Sequence, residues 1–252
     1  MAIRGLDVFG QHFADYRDRY VMIGGVAAWI TMDDAGGLFR ATKDLDIVLV
    51  IEALDSSFVA HFWAFIQAGG YRIKQGDGER PVFFRFQHPS DEAYPVQIEL
   101  FTRTPEGLAA PEGAKLTPIP TDESVSSLSA FLLDDAYYAF LLEGRRFLGD
   151  ITHIGADRLI PFKAKAWLNL SDAKARGEPI DSKNIKKHRN DVLALSQLLS
   201  DQPIALPSVI RADMTRFLEL LAHEEVSLKD LKLKGSLETI IARLAVSFGL
   251  AL

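Results

Sequence analysis

The stretch Val21 to Val50, VMIGGVAAWITMDDAGGLFRATKDLDIVLV, constrains this chain more than any other. An apolar run ends in Gly24-Gly25 and leads into a segment with helical character, Val26 to Met32. Asp44-Leu45-Asp46 then opens into Ile-Val-Leu-Val-Ile, which predicts a buried strand over Asp44 to Ile51. Alternation along a strand puts Asp44 and Asp46 on one face and Leu45 on the other. Two neighbouring carboxylates repel each other unless positive charge sits between them, and all-oxygen ligation favours magnesium or manganese. Taken alone, Asp-x-Asp is better explained as two solvated residues at a strand entry. The glycine pair adds a second feature: at a helix start without Cβ atoms, backbone N–H groups approach a phosphate closely.

The flanking pattern alternates strands and helices. Phe9, Phe13 and Tyr16 have helical spacing, so Asp7 to Arg19 predicts an opening helix before a short strand, Tyr20 to Ile23. Gly and Asp content makes Asp33 to Arg40 a loop. A helix from Leu54 or Ser56 carries Phe58, Phe62, Phe65 and Ile66 on one face and stops at Gly69-Gly70. Strands follow at Tyr71 to Lys74 and Val82 to Gln87, joined by a turn over Gln75 to Arg80. In the next strand Val96, Ile98 and Leu100 alternate with Gln97, Glu99 and Phe101, so Glu99 projects opposite the Val-Ile-Leu set.

Thr104 to Asp122 is rich in Pro, Gly and Ala and predicts a surface connection; Leu128 to Leu133 and Gly149 to Ile154 predict further strands. Asp134 to Leu142 satisfies neither the helical nor the strand period. From Asp157 onward the pattern is helical, with one helix from Arg158 to about Arg176 broken by Gly177-Glu-Pro. A second helix is capped by Asp181 or Ser182, with Lys183, Lys187, Asn190 and Asp191 near one stripe. Two or three amphipathic helices follow from Pro207 to Leu252. The expectation is an α+β chain with a sheet domain over 1–155 and a helical domain over 156–252.

Composition narrows the classes. The 252 residues include no cysteine, which removes disulfides and thiolate metal sites. The six histidines have no HExxH-type spacing, so zinc has little support. No apolar run reaches bilayer length and the N-terminus lacks a signal-peptide core, so a cytoplasmic protein is expected. The net charge of −6 argues against a general nucleic-acid coat. It is unevenly spread: residues 1–155 hold 13 Lys/Arg against 22 Asp/Glu, and residues 156–252 hold 15 against 12.

A hydrophobic residue, Gly-Gly, a helix and then Asp-x-Asp in a strand resembles the nucleotidyltransferase superfamily, the DNA polymerase beta-like fold. The string Arg40-x-Thr42-x-Asp44-x-Asp46 is similar to its toxin-type AbiEii branch, with Asp33-Asp34-Ala35-Gly36-Gly37 as an insertion. The resemblance implies a nucleotidyltransferase-fold mixed sheet and a third carboxylate on a strand beside Asp-x-Asp, which Glu99 matches where the family more often has Asp. The alternative for Glu99 is an exposed strand residue. The resemblance further implies a Lys-x-x-Ala motif, matched by Lys163 to Ala166, and a basic residue-Asp pair, matched less closely by Arg189-Asn190-Asp191.

On this resemblance Asp44, Asp46 and Glu99 hold Mg²⁺ (or Mn²⁺). Gly24, Gly25, Arg40 and Thr42 receive the nucleotide, Lys163 or Lys165 meets its phosphates, and Asp191 shapes the site. The implied reaction moves a nucleotidyl group from a nucleoside triphosphate to an acceptor hydroxyl, with tRNA or another RNA as one acceptor and Lys183, Lys186, Lys187 and Arg189 as phosphate contacts. The implied role is the toxin of a toxin–antitoxin or phage-defence pair, whose partner is an antitoxin protein. A stand-alone transferase acting on a small molecule or protein, and a catalytically silent binding protein, fit the same residues.

Overall fold

A computed structural model describes residues 3–76, 83–101, 117–119, 134–200 and 202–251. At its centre β2 (Asp44–Leu49) pairs antiparallel with β1 (Tyr20–Ile23) and parallel with β5 (Gln97–Phe101). Outside β5 lie β4 (Phe83–Gln87), β3 (Arg72–Gly76) and β6 (Thr117–Ile119); outside β1 lie β8 (Ile151–Ile154) and β7 (Arg145–Leu148). The described strands therefore form one mixed sheet in the order β6-β3-β4-β5-β2-β1-β8-β7.

Alternation sorts the strand residues onto two buried faces. Leu45, Ile47 and Leu49 of β2 join Ile98 and Leu100 of β5 in a core with α1 (Leu6–His12) and α3 (Ser56–Ala68). Phe58, Phe62, Phe65 and Ile66 supply that core's helical face, as their spacing predicts. Burying each such side chain is worth roughly 1.5–3 kcal/mol. Val21, Ile23, Val48 and Phe101 point the other way, into the core built by the later helices. Both faces of β2 are thus covered, which is why its sequence is an unbroken apolar run after Asp46. The architecture is α+β, a mixed sheet with helices on both faces followed by a run of helices.

Capping decides the segment that periodicity leaves open. The Asp134 carboxylate accepts from the Ala136 and Tyr137 amides, so 135–143 is helix α4 (Asp135–Glu143). α5 (Ala156–Ala175) starts two residues earlier than its pattern predicts, straight out of β8, and is mostly buried. α6 (Ser182–Leu195) is capped by Asp181, which accepts from the Lys183 amide. α7 (Ser208–Leu221) and α8 (Leu237–Ser247) complete the helical run.

Three features differ from expectation. The opening helix is shorter, with α1 ending at His12 before a 3-10 turn at Ala14–Tyr16. β7 forms from Arg-Arg-Phe-Leu, which carries no strand alternation, because its backbone pairs with β8. Thr117–Ile119, within the expected connection, pairs parallel with β3. The expected strand at 128–133 lies outside the described residues, as do the rest of the 104–122 connection and most of the 75–80 turn. Among the described residues no helix is long and apolar enough to cross a membrane.

Candidate functional site

The register of β1 against β2 builds the centre of the site. Ile23 stands opposite Asp46, so the chain leaving β1 passes directly over that carboxylate. Gly24 turns there with φ +62°, and a Cβ on it would lie 1.8 Å from Asp46 Oδ2. Only glycine fits that approach without displacing the acid. α2 (Gly24–Asp34) begins at this turn, and the Gly25 N–H donates to Asp46 Oδ2 at 3.2 Å. The amide expected to meet a phosphate therefore caps an aspartate. A Cβ on Gly25 would lie 2.7 Å from Thr42 Oγ1, so the second glycine lets the Arg40-x-Thr42 segment close over the helix start.

A cavity of about 350 Å³ opens at this junction. Gly24, Gly25, Arg40, Thr42, Asp44, Asp46, Glu99 and Lys163 all line it, so residues spread over 140 positions of sequence share one wall. Asp191 does not line it but lies behind, with a side chain only 3% exposed. It accepts both Arg40 Nε and Nη2 at 2.8 Å and an ion pair from Lys163 Nζ at 2.9 Å. Burial alone would raise the Asp191 pKa, but Lys163 and Arg40 outweigh it and hold the carboxyl well below the usual range. Asp191 thereby fixes two of the cations that face the cavity.

The two candidate lysines separate cleanly. Lys165 pairs with Asp213 at 2.8 Å and is not among the cavity residues, whereas Lys163 is. Two residues along a helix are about 200° apart, so one face receives Lys163 and the opposite face Lys165.

Asp44 and Asp46 differ from every other acid at the site. Among the described residues neither closes an ion pair, and both have raised pKa values. Burial is the main cause for each, and for Asp46 the neighbouring Asp44 adds to it; Lys187 opposes the rise at Asp44 and Lys163 at Asp46. Among the described residues no side-chain cation is bonded to the pair, and its hard oxygens suit a divalent cation that keeps its remaining positions for water and phosphate. Their all-oxygen chemistry suits magnesium or manganese. Glu99 is placed differently. It accepts Arg85 Nε at 2.8 Å and Gln97 Nε2 at 2.7 Å. Among the described residues no group of three or more Asp, Glu or His is arranged to hold a metal.

Sequence reading singled out Lys187 as a phosphate contact but missed Asn184 and His188. Asn184, Lys187 and His188 on α6 line the cavity, and with Asp191 they follow the i, i+3, i+4, i+7 stripe of one helix face. The stripe expected from sequence had instead joined Lys183 and Asn190 to it; Lys183 is exposed, and Asn190 accepts from the Arg189 guanidinium. Arg189 is buried in an ion pair with Glu224, which removes it from the expected surface phosphate contacts. Burial, with the positive charge of Lys163, depresses His188 to a pKa of about 3, so its ring is neutral near pH 7. Arg85 carried no sequence signal, because its pairing with Glu99 depends on the β4–β5 register.

No protein-family model matches the chain, and no curated protein matches it. Among solved structures it is similar to an antigenic nucleotidyltransferase-like protein from Paracoccidioides brasiliensis. That likeness has a TM-score of 0.48 and 12% identity, over 96% of this chain and 91% of that one. The cavity's own residues, not this likeness, carry the functional reading.

Proposed function

We propose that the chain is a divalent-metal-dependent nucleotidyltransferase that moves a nucleotidyl group from a nucleoside triphosphate to an acceptor hydroxyl. One observation carries the reading: Asp44 and Asp46 face a cavity ringed by Arg40, Arg85, Lys163 and Lys187, yet among the described residues neither acid closes an ion pair of its own. A triphosphate with its metal ion matches that distribution, the metal meeting the paired acids and the phosphates meeting the side-chain cations. When bound between Asp44 and Asp46, magnesium or manganese supplies Lewis-acid charge at phosphate oxygens.

The chain's own residues orient and neutralise. Lys163, fixed by Asp191, presents its ammonium to the cavity, and Lys187 adds a second charge from α6. Ile23, Ile154, Leu159 and Phe162 form an apolar wall that excludes water and suits a ribose or base. In the transfer, the acceptor oxygen bonds to the α-phosphorus, the bond to the bridging oxygen breaks, pyrophosphate leaves, and the acceptor proton passes to water. Fixed cations beside developing phosphoryl charge lower the barrier without reorganising.

For the acceptor we favour RNA, tRNA included, and for the location the cytoplasm. Lys183 and Lys186 are exposed on the helix that brings Lys187 to the cavity, so a polyanion reaching the cavity would pass along them. The Arg40-x-Thr42-x-Asp44-x-Asp46 resemblance supports a toxin role with a cognate antitoxin.

The test is label transfer. Each nucleoside triphosphate, α-³²P-labelled, is incubated with Mg²⁺, protein and either purified tRNA, total RNA or protein extract. Label should enter RNA with one preferred nucleotide and vanish with Asp46→Asn. Transfer of label from γ-³²P-labelled nucleotide in a parallel reaction, or no transfer from any α-labelled nucleotide, would overturn the reading.

A further inference from the structure

Asp46, Glu99 and Arg85 form one row across three neighbouring strands. In the parallel β2–β5 pair Asp46 stands beside Glu99, and in the antiparallel β5–β4 pair Glu99 stands beside Arg85. Side chains at paired positions share a face, so Glu99 lies next to Asp46 where a third carboxylate would complete a second cation site. An arginine is already there. Arg85 and Glu99 are each only 12% exposed in side chain, and they meet at 2.8 Å. Gln97 donates to the same Glu99 oxygen, and Gln87 in turn donates to Gln97. A largely buried, hydrogen-bonded guanidinium–carboxylate pair does not part readily, because either group left alone would be a partly desolvated charge. Arg85 also lines the cavity, and its charge reaches Asp44.

We infer that the site takes a single divalent cation, at Asp44 and Asp46, and that the Arg85 guanidinium held by Glu99 stands in the place of a second. The inference rests on the nucleotidyltransferase reading of the cavity. Arg85 then supplies a fixed positive charge to a bound phosphate, and Glu99 positions Arg85 instead of ligating metal. An arginine suits this part, since it stays protonated and its planar donors can serve a carboxylate and a phosphate at once.

Counting bound metal tests the idea without relying on turnover. Mn²⁺ alone is titrated into the full chain, and free Mn²⁺ is followed by electron paramagnetic resonance. Wild type should bind one ion, and Asp44→Asn/Asp46→Asn none. Glu99→Gln, which keeps the shape and an acceptor for Arg85, should still bind one. Arg85→Met, with folding checked by circular dichroism, should gain a second ion as Glu99 loses the guanidinium. Two ions on wild type falling to one in Glu99→Gln would overturn the single-cation inference while leaving the transferase reading intact. An Arg85→Met variant that folds and still binds one ion would overturn the role given to Arg85. No ion on wild type would overturn both readings.

Discussion

Asp191→Asn is the substitution whose cost the structure defines most sharply. The carboxylate is 3% exposed and holds two cations, Arg40 through two hydrogen bonds of 2.8 Å and Lys163 at 2.9 Å. Asparagine keeps the volume and one acceptor oxygen but removes the charge. Taking one partner out of a buried ion pair costs about 3–5 kcal/mol, because the remaining charge is stranded. The two cations do not share that cost equally. Arg40 is 34% exposed in side chain and can turn to water, while Lys163 is 7% exposed and cannot. Most of the penalty therefore falls on Lys163, and about 3 kcal/mol is expected. Lys163→Met should be milder, since Asp191 keeps Arg40. The double variant should recover about 1–3 kcal/mol relative to the sum of the singles. Urea unfolding followed by circular dichroism measures all four corners of the cycle. Additive single effects, or an Asp191→Asn cost under about 1 kcal/mol, would refute the view that Asp191 organises the two cations.

Gly24→Ala should disrupt the site and destabilise the chain, because the new Cβ would lie 1.8 Å from Asp46 Oδ2 at a φ of +62°. A strained left-handed residue costs of order 1–3 kcal/mol before the clash is counted, and an unchanged thermal midpoint would contradict this. His188 gives a pH dependence of definite sign. Its folded pKa of about 3 lies below the ordinary 6.5, so between those values the unfolded chain holds a proton that the native one does not. Its contribution is full above pH 6.5 and falls as pH drops through that window, by up to about 1.4 kcal/mol per pH unit. Stability curves of wild type and His188→Gln should converge or cross on acidification; curves that stay parallel would argue against it.

What was legible in the sequence follows what is local. The apolar period of α3, the β1 strand before Gly24-Gly25 and the Asp44-Leu45-Asp46 alternation leading into an apolar run each depend on a few adjacent residues, and each formed. Gathering Gly24, Arg40, Asp46 and Lys163 around one cavity was foreseen through the motif resemblance. Long-range register was not legible. Nothing near Arg85 announces that Glu99 will stand opposite it, since the hairpin register fixes that pairing. The choice between Lys163 and Lys165 needed the phase of α5 against the sheet, and the Asn184–Lys187–His188 stripe needed the phase of α6. β7 formed from residues without strand periodicity because β8 offered its backbone a partner.

The central claim is that Asp44 and Asp46 join a metal ion to a nucleotide in this cavity. Calorimetric titration of each nucleoside triphosphate, with and without Mg²⁺, tests it directly on wild type and Asp44→Asn/Asp46→Asn. Wild type should bind one nucleotide only with Mg²⁺ present, and the double variant, still folded, should bind it at least about a hundredfold more weakly. Binding that is equally tight without Mg²⁺, or that survives the loss of both carboxylates, would contradict the claim.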